Sequence, residues 1–180
     1  MTNKRIIITG GPGFGKTSII KELERRGYAV SEEKARVVIK KQVDLGSDKL
    51  PWKDVKGFSQ LVIKEISSEK KIESGIVFCD RGIPDVVGYM KHASLKLEKE
   101  EYQSALKSMN YSTRVYFVPP WDEIYKVDNE RKESLETAKI ISKFIKETYI
   151  EEKYTLVEIP KGSVENRSDF IIFDILSHQF

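Results

Sequence analysis

The sequence has very little of the chemistry used for disulfides and metal cages. Its 180 residues include one cysteine and two histidines. A single cysteine, Cys79, cannot form an intrachain disulfide, and Cys79, His92 and His178 are too few ligands for a Cys/His metal cage. This composition is typical of proteins from a reducing compartment, and we therefore expect a cytoplasmic location.

Long hydrophobic runs and an excess of one charge are also missing. The N-terminal apolar run covers only residues 6–8, too short for a signal peptide and far below the ~20 residues of a membrane-spanning helix. The 31 lysines and arginines are balanced by 28 acidic residues, and the two signs are interspersed along the chain. We therefore expect a soluble chain with no transmembrane segment and no nucleic-acid partner.

The sequence does contain an alternation of short apolar runs with amphipathic stretches. Apolar residues spaced three and four apart predict helices, the first over residues 16–26 and the last over residues 164–177 with Ser163 as its N-cap. Because strands that alternate with helices form parallel sheets covered on both faces, we predict one α/β domain over residues 1–180. Five predicted strands cover residues 5–9, 28–30, 76–79, 113–118 and 154–159.

A phosphate-binding loop, the P-loop, follows the first predicted strand. Residues 10–17 read Gly-Gly-Pro-Gly-Phe-Gly-Lys-Thr, which fits the pattern G-x-x-x-x-G-K-[ST]. The glycines let main-chain N–H groups converge on phosphate oxygens, and the helix N-terminus adds its partial positive charge. We expect Lys16 to neutralise the β- and γ-phosphates and Thr17 to bind Mg²⁺. The predicted site for ATP or GTP is Gly11, Pro12, Gly13, Phe14, Gly15, Lys16, Thr17 and Ser18.

An acid and an arginine end the third predicted strand. Asp80 lies where a P-loop protein delivers its Walker B carboxylate to Mg²⁺, and Arg81 beside it is a planar cation suited to phosphates. The alternative is that Asp80 only caps the turn before Pro84. Asp80 is therefore the second candidate metal ligand, and Arg81 a candidate catalytic residue.

Two charged residues follow the second predicted strand. Glu33 and Arg36 lie one helical turn apart, near the same edge of the sheet as the P-loop. A carboxylate there can accept a proton from an attacking hydroxyl, so Glu33 is a candidate catalytic base. The alternative is that Glu32 and Glu33 form a first helical turn capped by Ser31.

Two later segments are candidates for covering the nucleotide. Residues 121–134 form a charged, lid-like segment after the fourth strand, and Arg131 is its candidate catalytic arginine. The same charges are also typical of a solvated helix face. The turn after the fifth strand contains Pro160 and Gly162, which can wall the nucleotide base if the strand order is 2-3-1-4-5.

Taken together, these motifs give the chain a family resemblance. It resembles small AAA-type P-loop ATPase-like domains, which are similar to the nicotinamide riboside kinase domain and more distantly to deoxynucleoside and thymidylate kinases. The resemblance implies a three-layer fold with the kinase-like order 2-3-1-4-5, Glu33 as the base, Arg81 as a phosphate ligand and Arg131 as the lid arginine. The resemblance rests on the P-loop, Glu33-x-x-Arg36, residues 80–85, residues 119–121, Tyr125 with residues 128–131, and residues 160–163.

Two functions follow as hypotheses. The first is a Mg²⁺-dependent kinase that transfers the terminal phosphate of ATP or GTP to a nucleoside-like or other small hydroxyl acceptor. The second is a nucleotide-dependent switch, or slow NTPase, that binds a protein or lipid partner. A Ras-like GTPase is rejected because no Asn-Lys-x-Asp motif occurs. We also expect no ring-forming motor, which needs an additional helical domain.

Overall fold

The chain is described by a computed structural model that covers residues 4–70, 75–125 and 133–178. Its strands are β1 (Lys4–Thr9), β2 (Ala29–Ser31), β3 (Ile76–Asp80), β4 (Arg114–Phe117) and β5 (Thr155–Glu158). Its helices are α1 (Lys16–Arg25), α2 (Lys34–Asp44), α3 (Val55–Ser67), α4 (Ile83–His92), α5 (Lys99–Ser108), α6 (Leu135–Glu151) and α7 (Val164–Ser177). A 3₁₀ turn covers Asp122–Ile124.

The strands form one parallel sheet in the order β2-β3-β1-β4-β5. In the centre, Ile8 of β1 lies opposite Asp80 of β3. Ser31 of β2 lies opposite Cys79 of β3. This register brings the loops that follow β1, β2 and β3 to the same edge of the sheet, where α/β proteins bind their ligands. The predicted α/β class and kinase-like strand order are confirmed.

Helices cover both faces of the sheet because β1 is apolar on both sides. Ile6 and Ile8 pack into one buried cluster with residues of α1 and α7. Ile7, on the opposite side of the strand, packs into another with Ile141 and Ile145 of α6. Successive strand residues point to opposite faces, so these two clusters are the two inner layers of a three-layer fold.

A third apolar cluster lies beside the sheet. It joins α2, α3, α4 and α5 through buried side chains that include Val38, Phe58, Ile83 and Tyr102. Phe58 also lines the large cavity described below. This cluster therefore holds α2 and α3 in place as one wall of that cavity.

Each predicted strand agrees with the structure to within one residue at either end. The last helix and its Ser163 cap are also as predicted, with the Ser163 hydroxyl accepting from Asn166 N at 3.1 Å. Helix α5 was not predicted, because Tyr102 is its only fully buried side chain and the apolar spacing is weak. The interpretation of Ser31 as a helix cap is wrong, since Ser31 ends β2 and α2 begins only at Lys34.

Candidate functional site

The P-loop connects β1 to α1 with its main chain in an unusual conformation. Gly13 and Gly15 have φ angles of 86° and 88°, in the left-handed region that favours glycine. A Cβ on Gly13 would lie 2.5 Å from the ring of Tyr125. The loop is held against α6, where Gly11 N donates to Ser142 Oγ at 3.3 Å.

Lys16 points back into the loop that it follows. Its side chain is buried, and its Nζ donates to the carbonyl oxygen of Gly11 at 2.6 Å. Burial, assisted by the nearby Arg81 charge, lowers the pKa of Lys16 to about 7. A phosphate anion placed in the loop would stabilise the charged form of this amine.

Thr17 and Asp80 meet at the start of α1, although 63 positions separate them in sequence. Thr17 Oγ1 donates to Asp80 Oδ2 at 3.0 Å. The other carboxylate oxygen, Oδ1, is buried without a hydrogen-bond partner among the described residues. Burial, together with the charge of Glu33, raises the pKa of Asp80. A hydroxyl and a buried carboxylate with an unused oxygen fit Mg²⁺, which prefers oxygen ligands.

The alternative role of Asp80, a cap for the turn before Pro84, does not fit this geometry, because Gly82 N donates to Asp85 instead.

Arg81 links the P-loop to the loop after β2. Its Nη1 donates to the carbonyl oxygen of Gly10 at 3.0 Å, and its Nε donates to Glu33 Oε1 at 2.8 Å. The guanidinium also lies over the ring of Tyr89, 5.4 Å from the centroid. Arg81 has a φ of 78°, which is uncommon for a residue with a side chain. The structure thus brings Arg81 to the P-loop, and its role as a phosphate ligand stays a prediction.

Glu33 lies at the junction of these charged groups. Its Oε2 accepts from Arg36 Nε at 3.0 Å, so both carboxylate oxygens face an arginine. Burial alone would raise the pKa of Glu33, but the charges of Arg81, Lys16 and Arg36 lower it to about 2. Glu33 therefore stays ionised and able to accept a hydrogen bond throughout the neutral pH range.

Asp85 was missed as a contributor to the site. It is buried and accepts hydrogen bonds from Thr9 Oγ1 at 2.6 Å, Gly82 N at 2.8 Å and Tyr149 Oη at 2.5 Å. Its Oδ1 also lies 3.4 Å from Arg81 Nη1. Asp85 thereby ties together the end of β1, the start of α4 and α6. Two signals were available: its position at the third residue of α4, typical of a helix-capping acid, and its place in the segment 80–85 that carries the family resemblance.

A cavity of about 1020 Å³ opens beside the P-loop. Pro12, Glu33, Asp80 and Arg81 line it on the side of the phosphate site. The wall formed by α2 and α3 is largely apolar and includes Ile39, Val55, Phe58 and Val62. A small molecule in this cavity would lie next to the groups that the P-loop gathers.

The lid-like segment is described only at its two ends. Tyr125 lies near Phe14 of the P-loop, with 5.8 Å between ring centroids, and its hydroxyl donates to the carbonyl oxygen of Glu133 at 2.6 Å. The buried position of Phe14 places its ring in the core beneath the loop. Arg131, the candidate lid arginine, lies outside the described residues.

The turn after β5 lies beside Trp121 and leads into α7, which contacts the P-loop. Pro160 and Gly162 lead into α7, while the Lys161 amine lies 5.7 Å from the centroid of the Trp121 ring. One turn into α7, Arg167 packs against Gly15, with Nη1 3.0 Å from the point where a Cβ of Gly15 would lie. Arg167 was not singled out in the sequence, because an arginine inside a helix gives no signal of its own.

Two further observations concern the free cysteine and the lengths of the helices. Burial raises the pKa of the Cys79 thiol to about 12, so this free cysteine is not an activated nucleophile. Over the described part of the chain, every helix is too short or too polar to cross a bilayer.

Solved structures that share this fold include three small-molecule-binding proteins. Deoxyadenosine kinase from M. mycoides with dCMP and dCDP has a TM-score of 0.66 and 15% identity, over 96% of this chain and 98% of that one. Shikimate kinase from Acinetobacter baumannii with shikimate has a TM-score of 0.62 and 16% identity, over 99% of this chain and 96% of that one. NadR protein with NR has a TM-score of 0.71 and 19% identity, over 98% of this chain and 51% of that one. The chain thus spans about half of the NadR protein. At these identities the similarity establishes a P-loop kinase-like fold.

Comparison at the level of sequence gives the family. No curated protein matches the chain. A family model described as an AAA domain matches residues 5–167, which include the P-loop, Glu33, Asp80 and Arg81. The chain therefore belongs to this AAA domain family, with the P-loop kinase-like fold.

Proposed function

We propose that the protein is a Mg²⁺-dependent kinase that transfers the terminal phosphate of ATP or GTP to a hydroxyl group of a small molecule. The observation that carries this proposal is the cavity of about 1020 Å³, which is lined by Glu33, Asp80 and Arg81 and opens beside the P-loop. A nucleotide-dependent switch needs a phosphate site but no acceptor pocket. The similar folds of deoxyadenosine kinase and shikimate kinase support the same class of reaction.

The donor would bind with its phosphates in the P-loop. The β- and γ-phosphates would be held by main-chain N–H groups and by the Lys16 amine, because the loop itself positions these donors. Thr17 and Asp80 would hold Mg²⁺, whose charge would neutralise the phosphate oxygens when bound. Arg81, whose Nη1 donates to the carbonyl oxygen of Gly10, would contact the transferred group.

The acceptor hydroxyl would be oriented by Glu33. Its oxygen attacks the γ-phosphorus, the bond from that phosphorus to the β–γ bridging oxygen breaks, and the hydroxyl proton passes to Glu33. A carboxylate with a pKa of about 2 is a weak base. Phosphoryl transfer is largely dissociative, however, so the alignment of the hydroxyl matters more than base strength.

Three of the cations that line the cavity are paired with carboxylates. Two arginines, Arg36 and Arg81, line the cavity, and both are paired with Glu33. Lys34, another lining residue, is paired with Glu69. An acidic acceptor would have to compete with these carboxylates for the three cations or bind the fourth, Lys40, whereas a neutral alcohol with an apolar body would pack on α2 and α3.

An acceptor panel combined with the substitution Glu33→Gln tests this proposal. Phosphate transfer from Mg²⁺-ATP and Mg²⁺-GTP is measured against nucleosides, nucleoside monophosphates, hydroxy acids and neutral alcohols. With a working acceptor, Glu33→Gln should lower transfer about 10²- to 10⁴-fold while nucleotide affinity changes little. The matched control is Glu24→Gln, because Glu24 is an exposed glutamate of α1 that does not line the cavity. Hydrolysis that no acceptor accelerates, or equal losses in both variants, would contradict the assignment.

A further inference from the structure

Arg167 is a buried cation for which the described residues supply no counter-charge. Its side chain is on the first turns of α7, and only 4% of the residue is exposed. Its Nε and Nη1 atoms are both buried and have no hydrogen-bond partner in the described part of the chain. Leaving a buried charge unpaired is costly, so proteins rarely keep one without a ligand for it.

The guanidinium lies at the P-loop. Nη1 and Nη2 are 3.0 and 3.2 Å from the point where a Cβ of Gly15 would lie. Gly15 directly precedes Lys16, the residue expected to hold the β- and γ-phosphates. The guanidinium is also covered by the indole of Trp121, 5.6 Å from the ring centroid. Trp121 therefore helps to keep the cation out of water and close to the loop.

The position of Arg167 is set by packing between elements. Helix α7 packs along α1, the helix that begins at the P-loop. Arg26 reinforces this contact by pairing with Asp169 and with the main chain at Glu165. The first turns of α7 consequently lie beside the P-loop, and Arg167 projects from there to Gly15.

We propose that Arg167 binds the phosphate chain of the donor nucleotide, as a cation supplied by the last helix rather than by the lid-like segment. A guanidinium has only donors and a permanent charge, which suits phosphate oxygens better than an uncharged base or ribose. This inference rests on the part of the proposed function that places a triphosphate in the P-loop, and it is independent of the acceptor.

The test is the affinity of Arg167→Met for Mg²⁺-ATP and for inorganic tripolyphosphate, which has no base or ribose. Methionine keeps an unbranched side chain against Trp121 and removes the charge. We expect affinity for both ligands to fall about 10- to 100-fold, the effect of losing charged hydrogen bonds. The melting temperature of the ligand-free protein should not fall, because the orphaned charge is gone.

The matched control is Arg25→Met, because Arg25 is an exposed arginine of α1 that pairs with Glu22 of the same helix. This variant should bind both ligands as the wild type does. Unchanged affinity in Arg167→Met would overturn the proposal, and so would a loss for ATP alone, which would assign Arg167 to the base or ribose. If wild type binds neither ligand, the proposed function itself fails.

A second variant covers the case in which Arg167→Met does not fold. Arg167→Lys keeps the charge but loses the planar fork of donors. It should fold with an unchanged melting temperature and bind tripolyphosphate more weakly than the wild type. Wild-type affinity in Arg167→Lys would overturn the proposal in that case.

Discussion

At the scale of single residues, the site depends on backbone conformations that few side chains tolerate. Arg81 has a φ of 78° and is held there by Glu33 and the carbonyl of Gly10. A non-glycine residue in this region costs about 1–3 kcal/mol, which the surrounding contacts must offset. Such strain is concentrated at functional sites, and here it directs the guanidinium to the P-loop.

The clearest prediction at this scale compares Gly13→Ala with Gly27→Ala. Both glycines have left-handed φ angles, 86° and 89°, but a Cβ on Gly13 would meet Tyr125 at 2.5 Å whereas one on Gly27 would meet nothing within 4 Å. Gly27→Ala should cost only the backbone strain of about 1–2 kcal/mol and leave binding intact. Gly13→Ala should also abolish Mg²⁺-triphosphate binding. Denaturant unfolding and titration calorimetry measure the two effects, and normal binding by Gly13→Ala would refute the prediction.

At the scale of elements, α7 is fastened to the sheet as well as to α1. Arg114 of β4 donates to Asp174 of α7 through Nε at 2.6 Å and Nη2 at 2.7 Å, and the Tyr116 hydroxyl donates to the same carboxylate at 2.8 Å. These contacts lie near the C-terminal end of α7, away from Arg167. The helix is therefore held at both ends, which keeps its first turn beside the P-loop.

Asp174→Asn should destabilise the protein in a pH-dependent way. The hydrogen bonds from Arg114 and then Tyr116 lower the pKa of Asp174 in the folded protein. A lowered folded pKa stabilises the fold above the unfolded pKa of about 3.9, and that stabilisation is lost as pH falls below it.

We therefore expect a loss of about 1–3 kcal/mol at pH 7 from the weakened charged hydrogen bonds, and no difference from wild type near the acid limit. Urea unfolding across this pH range measures the effect. Glu165→Gln is the control, because Glu165 is on the same helix and its side chain is exposed. A loss that does not vary with pH would show that the carboxylate charge is not responsible.

At the scale of the whole molecule, the proposed site joins the sheet to the helices that pack on one of its faces. The P-loop belongs to β1 and α1, Asp80 and Arg81 follow β3, Glu33 follows β2, and α7 contributes Arg167. A triphosphate bound among them would add contacts between parts of the chain that are distant in sequence. Ligand binding should therefore stabilise the entire fold rather than one loop.

Mg²⁺-triphosphate should raise the melting temperature of the protein. Binding to the folded state alone contributes about 2.7 kcal/mol at a ligand concentration of 100 times Kd, or about 5–10 °C for a chain of this size. Lys16→Ala should remove the shift. Asp80→Asn should remove only the part that depends on Mg²⁺, measured by repeating the melt with EDTA. A full shift in Lys16→Ala would contradict the P-loop assignment.

Much of the architecture could be predicted because its signals are local. The five strands were located from their apolar runs, and the P-loop from its position between a strand and a helix. Helix α5 could not be predicted in this way, because it buries little apolar surface. The roles of Asp85 and Arg167 in the site could not be predicted, because an acid or an arginine in a helix acquires such a role only through the partners that the fold supplies.

By itself, the sequence determined the α/β class, the order of strands and helices, and the loop that can cradle a phosphate. These depend on hydrophobic period and on residues adjacent in the chain. Only the tertiary structure decided that Thr17 meets Asp80, that Arg81 pairs with Glu33, that a cavity opens beside them and that Arg167 reaches Gly15. Each of these contacts joins segments distant in sequence, and the register of the sheet and the packing of its helices set their distances.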